Sequence, residues 1–99
     1  MRNLDKIDHI AIQVNDIEKS LEWYTKNFKC NKIYFDNSWA FIEFDNVKLA
    51  LVSKDEHPNH FAILDQKLLK DDKVVEHRDG SRSKYIKDIN GNYIELIKY

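Results

Sequence analysis

The spacing of apolar and polar residues predicts a chain with far more strand than helix. Ile7–Val14 is an apolar, β-branched run of strand length and reads as the first strand. Asn15 is the expected helix N-cap, with Glu18 three residues on completing a capping box. Ile17, Leu21, Tyr24 and Phe28 then recur at the spacing of one apolar helix stripe, which predicts a helix over about residues 16–28. Three strands are expected next, at residues 32–35, 39–44 and 47–53. Lys54-Asp55-Glu56-His57-Pro58 is polar, holds the only proline and reads as a linker. A new series opens with a strand at His60–Leu64. Leu68 and Leu69 predict a short helical stretch or a turn, and strands follow at residues 73–76, 83–87 and 93–97. With two glycines and one proline in the chain, Asn and Asp must make most turns. Asp36-Asn37, Asp45-Asn46, Asp79-Gly80 and Asn90-Gly91 are the clearest turn signals.

The two series repeat in residues as well as in pattern. Asp8-His9-Ile10-Ala11-Ile12 matches Asn59-His60-Phe61-Ala62-Ile63. The run from Asp45 to Val52 parallels the run from Asn90 to Ile97. His9 to Ala50 is 41 positions and His60 to Glu95 is 35, so the second series has lost about six residues, and its helix region is where they can be removed. The reading is a single domain over residues 1–99, with one unit at about 1–54 and another at about 59–99.

Strand residues alternate between faces, which turns the repeat into a candidate site. If Ile10, Ile12 and Val14 pack on the helix, then His9, Ala11 and Gln13 face the other way. By the same rule His60 and Ala62 face away from Phe61 and Ile63. Glu95 turns with the histidines, opposite Ile94 and Leu96. Two imidazoles and one carboxylate on a common face form a set that holds a divalent metal and leaves positions open for substrate. The repeat aligns Ala50 with Glu95, so the fourth symmetric position carries no ligand.

Composition narrows the setting. Hydrophobic residues are 42% and charged residues 33% of the chain, as in a folded globular protein. The net charge is -1 with both signs interspersed, and no basic stripe points to nucleic acid. No apolar run approaches a membrane span, the charged start is not a signal peptide, and Cys30 is the only cysteine. A cytoplasmic location is the expectation.

Several segments together resemble the vicinal oxygen chelate superfamily, which includes glyoxalase I, extradiol dioxygenases, and fosfomycin- and bleomycin-resistance proteins. The resemblance is carried by Asp8-His9-Ile10-Ala11-Ile12-Gln13-Val14, by the run from Asp16 to Tyr24, by Asn59-His60-Phe61-Ala62-Ile63 and by the run from Tyr85 to Glu95. The last is the most specific: it is similar to the family's Tyr-x-x-Asp-Pro-x-Gly-Asn-x-x-Glu, with Ile89 in place of proline. The resemblance implies an α+β fold of two βαβββ units curled into an open cup, here with the second helix shortened. It implies metal ligands at His9, His60 and Glu95, holding Fe, Mn, Zn or Ni. It also implies pocket roles for Tyr85 and for His77, eight positions earlier, although Lys84 stands where an apolar residue is usual. Ala50 falls where glyoxalase I has a glutamate that takes part in proton transfer, which disfavours chemistry with two carboxylates.

The leading functional expectation is a metal-dependent enzyme acting on a small substrate that chelates the metal through adjacent oxygens. The alternative is a non-catalytic, drug-sequestering binding protein of the bleomycin-resistance type, and a vestigial site is a third reading. A homodimer is expected, with no nucleic-acid or membrane partner. Other residues have plainer readings. His57 is a solvated linker residue, and Cys30 is packing. Arg82, Lys84 and Lys87 are solvated charges. Trp39 and Phe41 share one strand face and either floor a pocket or fill a core.

Overall fold

Eight strands and one helix make up the regular structure of the described residues. The structure is a computed structural model and describes residues 3–67, 74–77 and 80–99. In chain order the elements are β1 Ile7–Val14, α1 Ile17–Asn27, β2 Asn31–Phe35, β3 Trp39–Glu43, β4 Lys48–Ser53, β5 His60–Leu64, β6 Val75–Glu76, β7 Arg82–Lys87 and β8 Tyr93–Lys98. They fall into two compact units. The first is residues 9–59, and the second joins the described residues before His9 to those from His60 onward.

The two units share one wiring. In the first, the strand order is β2-β3-β4-β1, with antiparallel β2/β3 and β3/β4 pairs and β1 parallel to β4. In the second, the order is β5-β8-β7-β6, with β5 parallel to β8 and the rest antiparallel. Neighbouring antiparallel strands need only short turns, whereas a parallel pair needs a crossover. The repeat in the sequence is therefore a repeat in connectivity, and the α+β class is as expected.

Helix α1 begins one residue later than the sequence suggests. Asp16, not Asn15, is the N-cap, and its carboxylate accepts the Lys19 N–H at 2.9 Å. The two residue types cap equally well, but only aspartate adds a negative charge at the helix N-terminus. Glu18 then lies in the first turn, and no capping box forms around Asn15. Ile17 and Leu21 are buried against Ala40, Ile42 and Leu51, with Ile12, Val14, Tyr24 and Leu49 around them. Phe28 leaves the helix as its C-cap, and its half-exposed ring meets Phe44 and Trp23. Ile10, expected under the helix, is 40% exposed. Helix α1 packs on β2, β3 and β4, and Ile10 lies beyond its footprint.

Carboxylates make the turns, as the shortage of glycine requires. Asp36 accepts from the Tyr34 hydroxyl, from Ser38 N–H and Oγ at 2.7 Å each, and from Trp39 N–H at 3.0 Å. These donors, Tyr34 first, hold its carboxyl well below the usual carboxylate range. Asp88 accepts from Asn90 N–H at 2.8 Å and Asn92 N–H at 2.9 Å, and the Asn92 side chain leads in lowering its pKa. Gly91 closes that turn at φ 86, a conformation L-residues rarely adopt.

The expected linker is fastened down. Glu56 and His57 donate to the Ser53 carbonyl, and Gln13 bonds the His57 carbonyl at 2.8 Å and Asn59 Oδ1 at 2.7 Å. The residues before β1 belong to the second unit. Leu64 N–H donates to the Lys6 carbonyl at 3.0 Å, and the Tyr99 hydroxyl to Asp8 at 2.6 Å. The helical stretch expected at Leu68 and Leu69 lies outside the described residues.

Candidate functional site

In the second unit the register places His60 beside Tyr93, Ala62 beside Glu95, and Glu95 beside Tyr85. Alternation then puts His60, Ala62, Glu95, Ile97, Tyr85 and Ser83 on one face. His60 and Glu95 are buried, at 8% and 7% exposure, and His60 Nε2 lies 3.3 Å from Glu95 Oε1. A buried carboxylate is costly without a partner, and His60 supplies one. The Tyr85 ring stands edge-on to His60 with centroids 5.0 Å apart. Burial pushes the Tyr85 hydroxyl pKa up, and the Glu95 charge adds to the shift, so Tyr85 stays a neutral donor across the physiological range.

In the first unit His9 is buried on β1, at 7% exposure. Its face holds Ala11 and Ala50, which are register partners, with Phe41 opposite Ala50 on β3. His9 meets the Phe41 ring edge-on at 5.5 Å. The two units thus repeat a motif: a buried histidine at the strand start, an aromatic ring against it, and a residue between them on the last strand. That last residue is Ala50 in one unit and Glu95 in the other. The sequence repeat predicts this equivalence, and the registers reproduce it.

His9, His60 and Glu95 are all buried, and each offers a donor atom of a type that holds a metal ion. His60, Glu95 and Tyr85 are gathered on one face of the second unit. His77 follows β6 and meets that face through Ser83. Its Nε2 shares a 2.8 Å hydrogen bond with Ser83 Oγ, and the residue is exposed. His57 is half-buried rather than solvated, its carbonyl held by Gln13. The sequence reading missed Ser81 and Ser83, which are 3% and 2% exposed. Counting back from Tyr85 in twos would have placed both on the Glu95 face.

The model of the Glyoxalase/Bleomycin resistance protein/Dioxygenase superfamily matches residues 6–70. The chain belongs to this superfamily. The matched segment includes His9 and His60 and stops short of Tyr85 and Glu95. No curated protein matches the chain in sequence. Among solved structures, this superfamily member is similar to a hypothetical protein from Bacillus halodurans C-125, with 19% identity, 98% of this chain and 96% of that chain covered, and a TM-score of 0.78. It is similar to a Streptomyces coelicolor methylmalonyl-CoA epimerase solved with 2-nitronate-propionyl-CoA, at 17% identity, 97% and 98% coverage and TM-score 0.75. The Mycobacterium tuberculosis methylmalonyl-CoA epimerase follows, at 19% identity, 93% and 86% coverage and TM-score 0.65. At these identities the likeness is one of fold. Among the described residues, no helix is long and apolar enough to cross a membrane.

Proposed function

We propose that this chain is a metal-dependent enzyme of its superfamily, with His9, His60 and Glu95 binding one divalent cation. Its substrate would be a small molecule with two adjacent oxygens. The observation that carries the reading is the buried His60–Glu95 pair. Two donors bound at about 2.1 Å to one cation, roughly 90–110° apart, lie roughly 3.0–3.4 Å from each other. His60 Nε2 and Glu95 Oε1 are 3.3 Å apart. His9, at the repeated position in the first unit, supplies the third donor. The cation would act as a Lewis acid on a substrate oxygen.

The chain's own residues limit the chemistry. Tyr85, kept neutral, would donate a hydrogen bond to a substrate oxygen near Glu95. His77 with Ser83 is the second candidate for handling a proton. Ala50 offers neither a fourth ligand nor a base, so the reading excludes a scheme that needs carboxylates from both units. The structural neighbours include epimerases of a CoA ester. An epimerase of that kind would need a second proton-transfer group, and Ala50, the residue equivalent to Glu95, is not one; the carboxylate on that face is Glu43, exposed at the end of β3.

The aromatic and apolar face of the first unit favours a second reading, a small-molecule binding protein without catalysis. Metal content separates the two. Protein purified without chelator or His-tag should carry close to one equivalent of Fe, Mn, Zn or Ni, and Glu95→Gln protein should lose it. A metal-free wild type that takes up none of the four on dialysis would sink the enzyme reading. Oxygen uptake with catechols then tests Fe-dependent chemistry. A homodimer and a cytoplasmic location complete the proposal, and sedimentation analysis checks the first.

A further inference from the structure

The turn between β7 and β8 joins the strands that carry Tyr85 and Glu95, and it holds a reactive pair of residues. Residues 88–92 read Asp-Ile-Asn-Gly-Asn, so Asn90 is followed directly by Gly91. Asparagine is among the chemically labile residues, because the backbone nitrogen of the next residue can attack its carboxamide. A side chain on that next residue obstructs the attack, and glycine has none. Beyond its chain neighbours, no heavy atom lies within 4 Å of where a Gly91 Cβ would stand. Asn90 is exposed, and among the described residues its carboxamide makes no hydrogen bond, so it is free to turn toward Gly91. The Gly91 N–H donates to the Asp88 carbonyl at 3.1 Å, the longest bond of a turn whose others run from 2.8 to 2.9 Å.

The first unit supplies a comparison. Asn37 is also exposed and stands in the β2–β3 turn, but Ser38 follows it. The Ser38 N–H donates to Asp36 Oδ1 at 2.7 Å, and its hydroxyl reaches the same oxygen at 2.7 Å. That nitrogen is engaged by a charged acceptor, which holds it more firmly than a carbonyl does. Asn46 precedes Val47, whose branched Cβ crowds the same approach.

We propose that Asn90 is a site of spontaneous covalent modification that loosens the β7–β8 turn. The Gly91 nitrogen gives up its proton to water and bonds to the side-chain carbonyl carbon of Asn90. The bond from that carbon to the amide nitrogen breaks, the nitrogen takes a proton and leaves as ammonia, and a five-membered succinimide remains. Water then opens the ring at either carbonyl. One opening gives an aspartate, and the other gives an isoaspartate, in which the main chain runs through the side-chain carbon. Water is the only co-reactant. Both products work against the turn. Asp88 is held ionised by the Asn92 side chain and by the Asn92 and Asn90 N–H groups, and a new carboxylate two residues away repels it. An isoaspartate adds a carbon to the main chain where turn length sets strand register. The Lys87–Tyr93 and Tyr85–Glu95 pairs depend on that register.

Incubation of chelator-treated protein for days in mildly alkaline buffer at body temperature, followed by tryptic mapping, tests the assignment. Residues 88–98 form one tryptic peptide, and residues 33–48 form another that holds Asn37 and Asn46. The first should gain one mass unit, located at Asn90 by fragmentation, while the second stays unchanged. An isoaspartyl methyltransferase with labelled S-adenosylmethionine should then methylate the incubated protein and not the fresh protein. Asn90→Ser protein should show neither the mass gain nor the methylation. Incubated wild type should melt at a lower temperature than fresh wild type, and Asn90→Ser protein should melt unchanged. An unaltered 88–98 peptide would overturn the proposal, as would earlier conversion at Asn37, or full methylation of Asn90→Ser protein. Conversion in urea-unfolded protein with none in folded protein would overturn it too, because the turn would then protect Asn90. A converted protein that melts like the fresh one would refute the loosening of the turn. None of these readouts requires a bound cation.

Discussion

The two units place different chemistry on the same scaffold. Each sets a buried histidine at the start of its first strand, against an aromatic ring on a neighbouring strand. Between them the first unit has Ala50, at 3% exposure, and the second has Glu95, at 7%. The ring partner is Phe41 in the first and Tyr85 in the second. The surroundings of His9 are therefore apolar and aromatic at Ala50 and Phe41, whereas those of His60 carry a carboxylate and a phenol. Duplication supplies equivalent positions, and single substitutions at those positions divide binding surface from polar chemistry.

The sharpest way to break that comparison is to remove the group that distinguishes the units. Glu95→Gln keeps nearly the same shape but removes the charge, and should weaken divalent-metal affinity by about 100-fold or more, roughly 3 kcal/mol. Apo-protein stability should change far less. Titration with Mn or Zn, followed by thermal melts, measures both, and unchanged metal affinity would remove Glu95 from the site. Ligand histidines must be deprotonated, so metal affinity should fall as pH drops through about 6.5. The stabilisation that metal confers should fall with it.

Next in size is the helix that only the first unit shows among the described residues. Leu21 is 7% exposed in the core beneath α1, and Leu21→Ala should destabilise by ~2–5 kcal/mol in denaturant titration. A cost under ~0.5 kcal/mol would show that α1 contributes little to the first unit's packing.

Tyr85 and Phe41 offer a finer contrast. The Tyr85 pKa is raised from 10.0, so the folded state holds that proton more tightly than the unfolded chain. Its contribution to stability is present below pH 10.0 and is lost as pH rises above it. Stability should fall over that range in wild type, and Tyr85→Phe should flatten the fall. An unaltered alkaline profile in Tyr85→Phe would place the effect elsewhere.

The smallest effect is expected at the turns. Asp36 and Asp88 have lowered pKa values, so their contribution is present above about pH 4 and lost as pH falls through the folded values. Asp36→Asn and Asp88→Asn should each reduce the slope of stability against pH below 4, and the measurement is acid unfolding followed by circular dichroism.

Much of this was legible in the residues because it depends on local periodicity. The two-residue alternation of Ile7–Val14 and His60–Leu64 fixes which side chains share a face, and both strands occur with the expected bounds. The repeat of His9-Ile10-Ala11 with His60-Phe61-Ala62 made the histidines equivalent before any coordinates. The helix stripe was right at Ile17 and Leu21 and failed at Phe28, where the backbone turns extended. Cap choice also escaped the pattern, since Asn15 and Asp16 both carry suitable side chains and only the backbone entry angle selects between them.

What the sequence determined by itself was the alphabet of the site: which residues can ligate, and on which face of which strand they stand. Register lay beyond it. Nothing in the residue order says that Glu95 is flanked by both Ala62 and Tyr85, or that Trp39 pairs with Val52, because register comes from pairing between strands distant in sequence. The 3.3 Å approach of His60 to Glu95 and the edge-on contact of His9 with Phe41 follow from those registers. A side chain's type and face are local properties of the chain, whereas its neighbours are settled only when separate strands bond to each other.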